Sequence, residues 1–130
     1  MTPQYIYIDK SGNKFYYKDK EMTILHREDA PAIEWSTGGK SWFLNGKRHR
    51  EDAPAIESSN GSKAWYLNGK RHREDGPAAE YADGSKFWYL NGKQLTEEEF
   101  KKRTAKEIVL TMDEIAAKLG VDVSKLKIKK

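Results

Sequence analysis

Three copies of one four-residue segment carry most of the chain's reactive side chains. They are His26-Arg27-Glu28-Asp29, His49-Arg50-Glu51-Asp52 and His72-Arg73-Glu74-Asp75. Each copy holds a base, a guanidinium and two carboxylates, the ingredients of acid–base or metal chemistry. Their repetition argues against both. An active site needs a single constellation, and equivalent residues two or three strands apart would stand roughly 10–14 Å from one another at about 4.8 Å per strand. Zinc ligands must converge within about 2.0–2.2 Å of one ion. The segment is instead expected to be structural: His26, His49 and His72 pack against Trp across a hairpin, Asp closes the turn before Pro, and Arg and Glu pair between neighbouring units. No nucleophile–base pair and no glycine-rich phosphate loop is visible. The expectation is a protein that is no enzyme and has no cofactor or metal.

What positions these segments is an internal repeat of 23 residues: Leu25–Lys47, Arg48–Lys70 and Arg71–Lys93. Fourteen of the 23 positions are identical in all three units, far beyond chance, so each unit builds the same supersecondary element. Each unit has two hairpin signals. One is Thr37-Gly38, Asn60-Gly61 or Asp83-Gly84; the other is Asn-Gly at 45–46, 68–69 and 91–92. Two-residue turns at both places would set Ile33 opposite Trp42, Glu34 opposite Ser41, and Phe43 opposite Arg48. Side-chain alternation then gives two faces. One carries Ile33, Trp35, Trp42, Leu44 and His49. The other carries Ala32, Glu34, Ser41, Phe43 and Arg48. The stripe Trp42, Trp65 and Trp88 is expected to be structural core. The second face is mixed, and its row of Phe43, Arg48, Tyr66, Arg71 and Tyr89 is the candidate partner-binding surface. Aromatic rings beside arginine are common interface anchors.

The expected fold is mainly β: a single-layer antiparallel repeat sheet of stacked hairpins with a short helical C-terminal cap. Residues 1–24 read as a degenerate capping repeat, because Ser11-Gly12-Asn13-Lys14-Phe15-Tyr16-Tyr17 echoes Asn60-Gly61-Ser62-Lys63-Ala64-Trp65-Tyr66. Residues 25–93 are the three repeats, and residues 94–130 the helical cap. There Thr96 with Glu99 and Thr111 with Glu114 are capping boxes. Ile115, Ala116 and Leu119 form the apolar face of a second helix, and Leu126-Lys127-Ile128-Lys129 alternates like a short strand.

Period and motif resemble membrane occupation and recognition nexus (MORN) repeats. The resemblance rests on Gly46-Lys47-Arg48-His49, Gly69-Lys70-Arg71-His72 and the run Asp83–Lys93. The continuation Arg-Glu-Asp-Ala/Gly-Pro-Ala departs from the family's alternating glycines and is similar to a variant of phage and giant-virus proteins. The resemblance implies a scaffold architecture. It also implies, as an expectation, a phage-encoded accessory protein that binds and inhibits a host defence protein. Thr111–Val121 resembles the opening helix of helix-turn-helix domains, but the segment Asp122–Lys127 is too short for a full recognition helix.

Composition weighs on partners. The chain is 37% hydrophobic and 34% charged, with four Trp, seven Tyr and four Phe, which suits a thin sheet held by rings more than a deep aliphatic core. The net charge of +4 divides as +1 over residues 1–24, +1 over 25–93 and +2 over 94–130. A near-neutral repeat region makes a protein the expected partner. Nucleic acid, through the aromatic/Arg face or the Lys-rich tail, is the alternative, and a sequestered small ligand a third reading. With no cysteine, no apolar run of membrane-spanning length and no secretory opening at Met1-Thr2-Pro3, a membrane partner is not expected and a cytoplasmic location is.

Overall fold

A computed structural model of the chain describes residues 4–105. The second capping box, the helix face at 115–119, the alternating segment at 126–129 and the helix-turn-helix-like stretch lie outside those residues.

The fold is mainly β, as its periodicity requires. Thirteen short strands run β1 (Tyr5–Ile8), β2 (Lys14–Tyr17), β3 (Ile33–Glu34), β4 (Lys40–Ser41), β5 (Phe43–Leu44), β6 (Lys47–Arg48), β7 (Ile56–Glu57), β8 (Lys63–Ala64), β9 (Tyr66–Leu67), β10 (Lys70–Arg71), β11 (Ala79–Glu80), β12 (Lys86–Leu90) and β13 (Lys93–Leu95), before helix α1 (Glu97–Thr104). Nine of them form one antiparallel sheet in the order β1-β2-β3-β4-β7-β8-β11-β12-β13. The hairpins β5–β6 and β9–β10 stand beside it. In the third unit β12 runs unbroken from the main sheet into the second hairpin, pairing with β11 and then β13. Each unit is therefore two consecutive hairpins; the second forms a separate two-stranded sheet in the first two units and is continuous with the main sheet in the third.

The second turns form as expected. Asn45, Asn68 and Asn91 have φ of 51°, 50° and 51°, and their glycines lie near +80°, the type I′ geometry. Phe43 pairs with Arg48 and Leu44 with Lys47. The first turns do not. Trp35 N–H bonds to the Gly39 carbonyl, Ser58 to Ser62 and Tyr81 to Ser85, which leaves three-residue loops. Only the glycine of each loop is left-handed (Gly38 +103°, Gly61 +92°, Gly84 +92°). This is a type I turn closed by a glycine bulge. The register slips by one residue, and Ile33 faces Ser41, not Trp42.

That slip corrects the expected faces. Row by row the register joins Tyr7, Phe15, Ile33, Ser41, Ile56, Ala64, Ala79 and Phe87 into one apolar stripe across the sheet. On the opposite face it aligns Lys14, Glu34, Lys40, Glu57, Lys63, Glu80 and Lys86, a ladder of alternating charge. The isoleucines thus belong with Phe43 and Tyr66, and the glutamates with the tryptophans.

The core is thin. Ala32, Ala55 and Ala78, the alanines after each proline, are fully buried, and Ile33 and Phe43 join Ala32 in a cluster with Phe15 and Leu25 around it. Trp42, Trp65 and Trp88 are only half-buried, which corrects their expected place at its centre. The N-terminal hairpin β1–β2 stands where a unit's first hairpin stands, with Tyr16 as its Trp. In place of a second hairpin, the Asp19 carboxylate gathers Thr23 N–H, the Thr23 hydroxyl and Ile24 N–H. At the other end Thr96 and Glu99 form the reciprocal capping box of α1, whose Phe100 is buried.

Candidate functional site

On the tryptophan face the arginine of each charged segment is bonded within the fold, while its Asp is exposed. Arg50 Nη1 donates to the Pro54 carbonyl and to Glu57 Oε1, both at 3.1 Å, and its guanidinium lies 3.8 Å from the centre of the Trp42 ring. Arg27 repeats this with Pro31, Glu34 and Tyr16. Arg73 repeats the bond to the Pro77 carbonyl and the stacking on Trp65, but donates from Nε to Asp75 at 2.9 Å and meets Glu80 as an ion pair at 3.6 Å. In all three units the guanidinium bonds the carbonyl of the proline, and in the third Asp75 joins it. The Arg–Glu pairs also fall within units, where pairing between neighbours was expected; what spans neighbours is the stacking of Arg on the preceding unit's ring. The Tyr16 hydroxyl, and then Arg27, hold the Glu34 carboxyl below its usual range. Tyr16 itself is pushed up, chiefly by burial.

The histidines act forward along the chain. His26, His49 and His72 each accept through Nδ1 the backbone N–H of Asn45, Asn68 or Asn91, nineteen residues on, at 2.8–2.9 Å. Their Nε2 atoms lie 3.5–3.7 Å from Glu28, Glu51 and Glu74. An Nδ1 that accepts must carry its proton on Nε2, the atom turned toward the glutamate. The ring fixes the start of each Asn-Gly turn. It cross-links a unit, and its Nδ1 lone pair is occupied. Among the described residues no three His, Asp or Glu are grouped to hold a metal ion.

The opposite face carries the expected row, now beside the apolar stripe. The guanidinium of Arg48 lies 5.5 Å from the Phe43 ring and 5.7 Å from Tyr66; that of Arg71 lies 5.9 Å from Tyr66 and 5.3 Å from Tyr89. Phe43, Arg48, Tyr66, Arg71 and Tyr89 thus form one continuous ladder of ring and cation, each arginine between the rings of two units. Arg71 Nε donates to the Tyr66 hydroxyl at 3.0 Å and Nη1 to the Tyr89 hydroxyl at 3.2 Å. The Tyr66 hydroxyl, more than any other neighbour, holds Arg71 in its charged form. Phe43 is buried, Tyr66, Arg71 and Tyr89 are half-buried, and Arg48 is exposed. Among the described residues neither arginine meets a carboxylate within ion-pair distance, unlike the arginines of the other face.

Trp35 and Tyr81, which two-residue first turns would put on the tryptophan face, belong instead to this surface, beside Phe87, which that register already put here. Trp35, Tyr81 and Phe87 are exposed there, with Phe15–Trp35 and Tyr81–Phe87 in edge-to-face contact at 5.8 and 5.7 Å. The glycine-bulge turn was the signal for Trp35 and Tyr81, since it moves positions 35 and 81 across the sheet. Helix α1 packs on the other side: Arg103 and Thr104 line a cleft together with Trp65, Leu67 and Leu90 of the tryptophan face. A second, equivalent cleft between the first two units is lined by His26, Trp42, Leu44 and His49. Both are open grooves. No helix among the described residues is long and apolar enough to cross a membrane.

Compared with known families, curated proteins and solved structures, the chain matches no family model, no curated protein and no solved structure.

Proposed function

We propose that the chain is a non-enzymatic binding protein that presents Arg48, Tyr66, Arg71 and Tyr89 of the ladder, with Phe43 buried beneath its first arginine and the apolar stripe beside it, to a protein partner. One observation carries this reading: two rows of arginine face opposite ways, and among the described residues only the row on the ladder lacks carboxylates. Arg71, half-buried and held by the Tyr66 and Tyr89 hydroxyls, is pre-organised, so binding a carboxylate or carbonyl on a partner loses little side-chain freedom there. The exposed Trp35, Tyr81 and Phe87 add apolar area of the kind that interface centres use. The resemblance to phage-type repeats makes a host protein, bound and inhibited in the host cytoplasm, the partner class of this proposal.

The test is capture of partners from host extract by wild type and by the Arg48→Ala, Arg71→Ala double variant, and then measured affinity for the captured protein. The expected result is loss of binding by tenfold or more, about 1.4 kcal/mol, with the β-sheet spectrum unchanged. Equal capture by both chains would overturn the proposal. Capture of nucleic acid instead, with affinity falling steeply as salt rises, would favour the alternative reading.

A further inference from the structure

The two edges of the nine-stranded sheet are built differently. At one end β13 presents Lys93 and Gln94, and the chain turns directly into α1, which packs against β12 and β13. Charge and a covering helix are the usual protections of a sheet edge. At the other end β1 reads Tyr5-Ile6-Tyr7-Ile8, with no charge, proline or bulge. Among the described residues β1 pairs with β2 alone. Ile6 and Tyr7 are 49% exposed and Ile8 57%, so the strand is apolar toward both faces and open on its outer side.

The hydrogen-bond phase of that outer side is set by the inner one. Asp9 N–H bonds to the Asn13 carbonyl, and Tyr16 N–H turns away from β1 to the Ala32 carbonyl. In an antiparallel pair, bonded and non-bonded positions alternate. Ile6, opposite Tyr16, and Ile8 therefore direct their N–H and C=O groups outward, while Tyr5 and Tyr7 direct theirs to β2.

We infer that β1 is the seam of a homodimer, in which a second copy adds its own β1 antiparallel and the two sheets join edge to edge. One register satisfies both outward-facing residues: a two-fold axis through Tyr7 sets Ile6 opposite Ile8 of the second copy, twice, and closes four main-chain hydrogen bonds. Tyr7 then meets the same residue of the second copy at a non-hydrogen-bonded site. The isoleucines cover one another on the tryptophan face, and the tyrosines extend the apolar stripe of Tyr7 and Phe15 across the axis on the other. A second copy fits this seam because the edge is self-complementary. Both faces are apolar, no charge needs a counter-ion, and a two-fold contact closes without leaving a further edge at the seam.

The chain lacks cysteine, so crosslinking reads the register directly. Cα atoms at a non-hydrogen-bonded pair lie about 4.5 Å apart, within disulfide reach. Tyr7→Cys should form a disulfide-linked dimer on mild oxidation. Lys10→Cys should not, since the same register puts it about 20 Å from its counterpart at about 3.3 Å per residue. Light scattering should give twice the chain mass for wild type and the single mass for Ile6→Lys/Ile8→Lys, which sets like charges opposite each other. Ile6→Lys/Ile8→Glu should restore the dimer, because the same register sets Lys opposite Glu. These side chains are half exposed, and an unchanged far-UV spectrum would confirm folding. A wild-type mass of one chain across the concentration range overturns the inference. So does a dimer that survives Ile6→Lys/Ile8→Lys, or one in which Lys10→Cys crosslinks as readily as Tyr7→Cys.

Discussion

Arg48 and Arg50 sit two residues apart on one segment and serve opposite sides of the sheet. Arg50 is fixed by a carbonyl, a carboxylate and an indole ring. Arg48 is flanked by two rings and meets no carboxylate among the described residues. The pattern recurs through the repeat, with Arg27 and Arg73 in the first role and Arg71 in the second. Identical side chains in nearly identical local sequence therefore do different things because of what the register sets opposite them. Identity across repeats marks a structural need; a missing counter-charge marks a surface still able to bind.

This contrast is broken most severely on the tryptophan side. Arg50→Ala removes two charge-assisted hydrogen bonds and the cover over Trp42, and leaves the Pro54 carbonyl and Glu57 without their partner. Each charged bond contributes about 1.5–3 kcal/mol where shielded, and the arginine is partly exposed, so the expected loss is about 2–3 kcal/mol. Urea denaturation measures it, and Arg73→Ala should match it. A loss below about 0.5 kcal/mol would show the stacked arginines to be ornaments of the surface.

The histidine link should be next in size. His49→Ala leaves Asn68 N–H without an acceptor at the start of its turn. The expected cost is about 1–2 kcal/mol, less than for Arg50 because water can reach Asn68, which is exposed. His26→Ala and His72→Ala test the same bond at the other units. If affinity for the partner fell while melting stayed unchanged, the segment would belong to the binding surface after all.

Acid should weaken the fold through the same network. Glu34 is held below its usual range by the Tyr16 hydroxyl first, then by Arg27. Asp19 is held low chiefly by the Thr23 side chain, Asp9 by the Asn13 side chain, and Asp83 by Ser85 N–H. A carboxyl lowered in the folded state contributes stability above its unfolded value, and that contribution fades as pH falls through the folded one. Stability should therefore decline below about pH 4–5, where unfolded carboxyls begin to bind protons. Glu34→Gln should flatten the decline, and equal slopes for wild type and variant would remove Glu34 from the account.

Much of this was legible in the residues. The 23-residue period, the type I′ turns at Asn-Gly, the capping box at Thr96 and the five-residue ring–cation row can all be read from composition and spacing. What was not legible was the length of the other turn. Asn60-Gly61 and Asp83-Gly84 satisfy the pattern of a two-residue turn, yet only the glycine takes the left-handed conformation and the loop gains a residue. One residue of slip transferred Ile33 and Ile56 to the ladder face and Glu34 and Glu57 to the tryptophans, hiding both the apolar stripe and the Lys–Glu ladder. The invariant lysines at 40, 63 and 86 and glutamates at 34, 57 and 80 were the available clue, since a register that pairs opposite charges is the more stable one.

The smallest expected effect on stability is the one that tests the contrast most directly. Arg48 is exposed, makes no ion pair among the described residues and lies more than 5 Å from both ring centres it flanks. Cation–π attraction at an exposed site contributes about 0.5–1 kcal/mol, part of which water returns to the free cation. Arg48→Ala should therefore change unfolding free energy by about 0.5 kcal/mol or less. Arg71→Ala should cost more, because it also strands the Tyr66 and Tyr89 hydroxyls that accept from it. A melt of the two single variants beside Arg50→Ala gives three points on one scale, ordered Arg48, Arg71, Arg50. Partner affinity should run differently, with Arg48→Ala and Arg71→Ala both weakening it and Arg50→Ala leaving it unchanged below its own melting temperature. If Arg48→Ala proved as destabilising as Arg50→Ala, the ladder would be holding the units together, and the two faces would not differ in kind.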